Sequence, residues 1–180
     1  MRKNLGSVAA LYPTPVTVVG VMNQDKPNWL MIAHIGIISQ DRIMISCAKA
    51  HKSDEMIRAN KKVSVNIINE ALLKKADYVG SVSAAKADKS AVFDYELGEA
   101  GTPVIQNAPV SMECEVVDIY DTPVFDDFIL KVENTYVDEH AVGKDGKLNY
   151  EVIKPVLFEM PSYKYLLTGP VLGNCLKMHE

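Results

Sequence analysis

A closed or nearly closed antiparallel β-barrel with a few short helices is the fold class this sequence predicts. Three observations predict it. Short segments rich in β-branched residues recur along the chain. The turns between the first of them are too short to hold crossover helices. No strict strand–helix–strand alternation appears, which argues against a parallel sheet. All 180 residues read as one domain, 1–180, without repeats, low-complexity tracts or linkers.

The elements follow in order. Residues 16–22 form a first strand, 23–28 a turn, 29–38 a second strand, and 43–48 a third after a break at 39–42. A short helix comes next. Ser53 is its expected N-cap, Asp54 and Glu55 suit its positive end, and Met56, Ile57 and Ala59 form its apolar side. Residues 62–68 form a strand with Val63, Val65 and Ile67 on one face and Ser64 and Asn66 on the other. A second helix is expected over 70–79, then a loop of small and basic residues over 80–89. The second half repeats the strand pattern. Met112, Cys114 and Val116 alternate with Glu113, Glu115 and Val117, and Phe128, Leu130 and Val132 alternate with Ile129, Lys131 and Glu133. Residues 143–146 form a turn.

Composition narrows the function classes. The hydrophobic share of 48% and charged share of 23% are those of an ordinary globular chain. With 19 basic against 23 acidic residues the net charge is −4, so no basic excess supports a nucleic-acid-coating surface. No apolar run approaches the ~20 residues of a membrane span, and the N-terminus lacks a signal-peptide core. Cys47, Cys114 and Cys175 are odd in number and form no CxxC pair, which supports neither a disulfide framework nor a cysteine zinc site. A reducing cytoplasm is the expected compartment.

Three segments carry possible chemistry. Ser46-Cys47-Ala48-Lys49-Ala50-His51-Lys52-Ser53 leaves a strand and enters a helix N-terminus, where free N–H groups, two lysines, a histidine and a serine suit a phosphate. On spacing alone a solvated, capped helix start is the commoner explanation. Pro27-Asn28-Trp29-Leu30-Met31-Ile32-Ala33-His34 offers a polar amide and a flat indole, against the plainer reading of a turn followed by a core strand. Residues 80–89 combine small residues that permit close backbone approach with Lys86 and Lys89, against an ordinary surface loop. His34, His51, His140 and His179 lack metal-ligand spacing, so no metal site is expected. GxSxG, P-loop and GxGxxG motifs are missing. Asp126 and Asp127 are adjacent on a strand and point to opposite faces, and Cys47 reads as a buried core thiol.

In order along the chain, these pieces resemble the flavin reductase-like family, especially its flavoredoxin branch. Tyr12-Pro13-Thr14-Pro15-Val16 resembles its Y-P-x-P-V opening, and Lys26-Pro27-Asn28-Trp29-Leu30 its G-x-P-N-x-[LM] turn. Lys49-Ala50-His51-Lys52-Ser53 resembles K-x-H-Y-T, and Val63-Ser64-Val65-Asn66-Ile67 resembles F-x-V-N-I. Ala76-Asp77-Tyr78-Val79-Gly80-Ser81-Val82-Ser83 resembles A-D-Y-C-G-x-x-S, with Asp88-Lys89 at its D-K, and Ser111-Met112-Glu113-Cys114-Glu115 resembles x-L-E-C-x.

The resemblance implies an FMN-binding split β-barrel of antiparallel, Greek-key type that pairs as a homodimer. It implies an oxidoreductase: an NAD(P)H-dependent flavin reductase using NADH or NADPH, or an electron carrier that exchanges electrons with a protein partner. A non-catalytic ligand-binding barrel is a third reading. The expected cofactor-binding residues are Asn28, Trp29, Leu30, Met31, Ile32, Ala33, Ser46, Cys47, Lys49, His51, Lys52, Ser53, Ser83 and Lys89, with the phosphate near Lys49, His51, Lys52 and Ser53. Residues 81–89 are expected near the flavin edge, from the same subunit or its partner. No catalytic side chain is implied. Several positions depart from the family pattern. Met31 stands for threonine, His34 for tryptophan, Lys52 for tyrosine, Ala84-Ala85 for Gly-Arg, and Phe125 for histidine.

Overall fold

A computed structural model describes residues 1–178; His179 lies outside them. Seven antiparallel strands make the main sheet, in the order β3 (Lys26–Ile32), β2 (Thr17–Asn23), β6 (Lys62–Ile67), β9 (Val110–Asp121), β10 (Phe125–Val137), β5 (Arg42–Ala48) and β4 (Ile35–Ile37). The long β9–β10 hairpin is thus inserted between β5 and β6, a Greek-key arrangement. The two outer strands, β3 and β4, follow each other directly in the chain, so the sheet must curl to bring its edges together. His34 O accepts from Ser46 N at 2.9 Å where they meet, and a split remains between β3 and β5.

The curl is driven from inside. Val19 and Val21 of β2, Leu30 and Ile32 of β3, and Ile45 of β5 meet Phe128 of β10 in the barrel core. A second apolar layer lies outside, where Val16, Val18 and Trp29 pack with Phe93, Ile105 and α2 (Leu73–Ser81). β2 is therefore buried on both faces, which explains its unbroken apolar run. On β6 the Val63 and Val65 face joins the barrel core, while Ser64 and Asn66 are also fully buried, in a polar network. Asn66 donates to Val18 O and accepts from Ile105 N and Ser111 Oγ. Minor sheets are built from β1 (Thr14–Pro15), β11 (Leu157–Glu159) and β12 (Lys164–Leu166), and from β7 (Tyr95–Leu97) and β8 (Pro103–Ile105).

Glu113 anchors the far end of this barrel. Its carboxylate is fully buried and accepts from Ala100 N, Thr102 N and Oγ1, Asn134 Nδ2 and Tyr136 Oη at 2.8–3.2 Å. Burial alone raises a carboxyl pKa, but these donors outweigh it and hold Glu113 at about 2. Gly98 lies against the carboxyl group, in space that a Cβ would need.

Several sequence expectations are corrected. The hairpin is tighter than 23–28: only Gln24 and Asp25 connect β2 to β3, with Gln24 at φ +56°, so Pro27 and Asn28 lie in the strand. Pro27 is tolerated there because β3 is an edge strand. The expected second strand breaks at Ala33 and His34. Helix α1 spans Lys52–Asn60 with His51 in extended N-cap conformation, so Ser53 is not the cap, and Ala59 is exposed. α2 continues through Gly80 and Ser81. α3 (Tyr150–Ile153) is a single turn.

Candidate functional site

The split between β3 and β5 is a groove. β3 pairs in the sheet with β2 on one side only, so its other edge lies open along this groove, although Ile32 O and Ala33 O accept from Thr17 Oγ1 and Thr14 Oγ1. A cavity of about 260 Å³ lies there between Leu30, Ala33, Ser46, His51 and Phe125. It opens at one end into a smaller cavity of about 140 Å³, lined by His51, Lys52, Ser53, Ser83 and Lys89. At the other end it opens into a shallow apolar cavity of about 420 Å³ lined by Leu11, Tyr12, His34 and Phe125. The trough is therefore polar and basic at one end and aromatic at the other.

The basic end is built by α1. No side chain caps this helix, and the N–H groups of Lys52 and Ser53 donate to no protein acceptor. Ser53 Oγ accepts from Asn28 Nδ2 at 2.8 Å, which ties the helix start to β3. Lys89 closes the end from the other side. It is 97% buried, and its ammonium donates to two carbonyls, Val79 O at 3.1 Å and Val82 O at 3.3 Å. No carboxylate pairs with it among the described residues, and desolvation lowers its pKa. A buried cation without a counter-charge, facing an uncapped helix N-terminus, is a setting for an anion. A phosphate fits this donor set.

The apolar end is built from edge-on rings. Phe125 meets His34, His34 meets Tyr12 and Tyr12 meets Phe158, at centroid separations of 6.2–6.4 Å. A flat aromatic ligand fits such walls.

The structure gathers His51, Lys52, Ser53, Ser83 and Lys89 at the basic end, and Leu30, Ala33 and Ser46 beside the middle. Asn28 sits behind Ser53. Ser83, Ala84 and Lys89 line the basic end from the same chain. Other expectations change. Trp29 presents no face to the groove: strand alternation sends its fully buried ring to the outer core, edge-on to Phe93 and Tyr95. Met31 points the same way, onto Gly80, and the side chains of Leu30 and Ile32 belong mainly to the barrel core. These β3 residues reach the groove chiefly through backbone. Cys47 is also core, and burial, then Asp54 and Asp126, push its thiol up to about 12. Lys49 turns away to carboxylates, 2.6 Å from Asp121 and 3.5 Å from Asp126. Lys52 pairs with Glu55 across one helical turn. Asp126 and Asp127 do diverge: Asp127 accepts from Ser46 Oγ, and Asp126 pairs with Arg58.

Sequence reasoning missed two things. Tyr12 and Phe158 complete the aromatic end, and Tyr12 was visible only as part of an opening motif. The buried group of Asp54, Arg58 and Asp126 carried no local signal, because strand β10 supplies one carboxylate and α1 the other. The described residues hold no cluster of histidine, cysteine or acidic side chains that fits a metal ion.

A curled, split antiparallel barrel with a groove along its seam is the class of fold these elements define. The chain belongs to the flavin reductase like domain family, whose model matches residues 9–164. It is similar over 100% of its length to flavoredoxin from Methanosarcina acetivorans, at 28% identity, 98% coverage of that chain and a TM-score of 0.93. Flavoredoxin of Desulfovibrio vulgaris (Miyazaki F) is similar at 27% identity, full coverage of both chains and a TM-score of 0.92. Among curated proteins, the reductase subunit HsaB of a flavin-dependent monooxygenase from Mycobacterium tuberculosis is 25% identical over 117 residues. That match takes 64% of this chain and spans only 61% of the relative's length. No helix among the described residues is long and apolar enough to cross a membrane.

Proposed function

We propose that the protein binds FMN in the β3–β5 groove and acts as an NAD(P)H-dependent flavin reductase. The observation that carries the reading is the polarity of that groove, with an uncapped helix start and a buried, unpaired Lys89 at one end and aromatic walls at the other. The phosphate is held by the Lys52 and Ser53 N–H groups, Ser53 Oγ, His51 and Lys89. The backbone edge of residues 30–33 and Phe125 would hold the ring.

When bound, the flavin supplies the hydride-accepting centre, and this chain supplies position and electrostatics. Backbone N–H groups on the open β3 edge would stabilise negative charge on a bound flavin without reorganising. Phe125 and Leu30 keep water from one side of the groove. No side chain forms a covalent bond. We place the protein in the cytoplasm as a homodimer, in which a second copy covers the shallow aromatic end.

A second reading is favoured by a specific observation, the full-length similarity to two flavoredoxins. On that reading FMN stays bound and exchanges electrons with a protein partner, with no nicotinamide site. Anaerobic addition of NADH and NADPH to the FMN-loaded protein separates the two. Bleaching of the flavin absorbance by one donor supports the reductase and names the donor. A flavin that dithionite bleaches and neither nicotinamide does overturns the reductase in favour of the carrier.

A further inference from the structure

Behind the basic end of the groove lies a charge cluster that the flavin reading does not use; its acids Asp54 and Asp126 are buried, while Lys49, Arg58 and Asp121 at its rim are 33%, 37% and 61% exposed. Asp54 stands in the first turn of α1, directly after Ser53, and is 4% exposed. Asp126, the second residue of β10, lies across from Cys47 in register and is fully buried. One edge of Arg58 spans both: its Nε bonds Asp126 Oδ2 and lies 3.8 Å from Asp54 Oδ2. The rest of the guanidinium reaches Asp121 Oδ2 at 2.9 Å. Lys49 is 2.6 Å from Asp121 Oδ1 and 3.5 Å from Asp126 Oδ1.

Two oxygens are left over. Asp54 Oδ1 and Asp126 Oδ1 are both buried and neither accepts a hydrogen bond, the Lys49 ammonium standing 3.5 Å from Asp126 Oδ1 as an ion pair only. A buried carboxylate oxygen without a hydrogen-bond donor has lost its hydration uncompensated, and one proton between the two acids would give both a partner. The charges agree. Asp54, Asp121 and Asp126 carry three negative charges if all ionise, against the two positive charges of Lys49 and Arg58. One proton makes the cluster neutral. No other charge facing it supplies the difference: Cys47 is a neutral thiol, Asp127 turns to Ser46, and Lys52 and Glu55 pair with each other on the outer surface.

We propose that Asp54 and Asp126 hold one proton between them in the folded protein, and that this proton strengthens FMN binding at the adjoining helix start. The second half rests on the FMN reading above. Losing the proton adds a negative charge to the first turn of α1, against the phosphate and against the helix dipole that attracts it. The pair's asymmetry supports the first half. Burial, then Asp126, raise Asp54 to about 6, while Arg58 holds Asp126 below the usual carboxylate range. One acid pushed up beside one pushed down is how two carboxyls share a proton. A single charge next to a partly buried anion changes its affinity on the order of tenfold.

Two measurements on the full chain test this, with Asp54→Asn as the variant because it keeps shape and stays neutral. Infrared spectra of the flavin-free protein are expected to show a protonated carboxyl C=O band that persists about two pH units above the range of ordinary aspartates and is missing in Asp54→Asn. A band that disappears with the ordinary carboxyls overturns the shared proton, whatever the flavin does. FMN titrations from about pH 5 to about pH 8 are expected to lose on the order of tenfold more affinity in the wild type than in the variant. Identical pH profiles overturn the coupling. A wild type with the infrared band but no FMN binding at any pH leaves the proton standing and overturns the flavin reading and the coupling that rests on it.

Discussion

Glu113→Gln is expected to cost about 3 kcal/mol near neutral pH. The folded carboxyl titrates at about 2 against an ordinary 4.5, a displacement worth about 3 kcal/mol at 1.36 kcal/mol per unit. The geometry agrees, since five donors converge on two oxygens. Gln keeps one oxygen and sets an NH2 group against donors that need acceptors, with about 1–3 kcal/mol lost for each group left unsatisfied. A depressed carboxyl pKa stabilises the fold fully above about 4.5 and loses that contribution as pH falls toward about 2. The gap between wild type and variant should therefore be widest near neutrality and shrink below about pH 4.5. Urea denaturation followed by circular dichroism reads it: with a slope of ~2 kcal/mol/M the midpoint falls by roughly 1.5 M at neutral pH. A midpoint within ~0.3 M of wild type, or a gap that stays constant down to about pH 3, would refute the reasoning.

Three further substitutions probe the groove and its support. Lys89→Met removes the buried cation and keeps its stem, so FMN affinity should fall at least about tenfold, read by fluorescence titration, while riboflavin affinity barely changes. Arg58→Met leaves the buried Asp126 carboxylate with Lys49 as its remaining cation, so the urea midpoint should fall below that of the wild type. Gly80→Ala places a Cβ 2.7 Å from Met31 Cε and 3.0 Å from Met31 Cβ. The displaced Met31 should outweigh the gain in helix propensity by about 1 kcal/mol, and adding Met31→Ala, which removes Cε and keeps Cβ, should relieve part of the penalty, read as coupling in a double-mutant cycle.

The parts of the fold that were legible in the sequence are those governed by short-range periodicity. The alternation around Val63, Cys114 and Phe128 marks three barrel strands, and the passage from Ala48 to Ser53 marks a strand entering a helix. Alternation also holds the answer for Trp29, since a residue beside Leu30 on a strand must face the opposite layer. Its chemistry as a flat ring obscured that. Pro27-Asn28 has the composition of a turn, but Pro is permitted on an edge strand, and only the sheet order makes β3 an edge. Ser53 has the better N-cap chemistry, yet His51 takes the extended conformation and the helix starts two residues earlier. The side chains that decide electrostatics were hidden for another reason. Lys49 was read with its sequence neighbours, but Asp121 and Asp126, from the β9–β10 hairpin, set its direction. Asp54 and Asp126 meet only because β10 lies beside β5 in the sheet.

The most direct test of the groove is a pair of fluorescence titrations, FMN against riboflavin, on the same protein. The two ligands share the ring and differ by the phosphate. If the ring lies along β3 and the phosphate sits at the start of α1 with Lys89, FMN binds on the order of a hundredfold more tightly. Equal affinities, or no binding of either ligand, would contradict a phosphate-anchored flavin site in this groove.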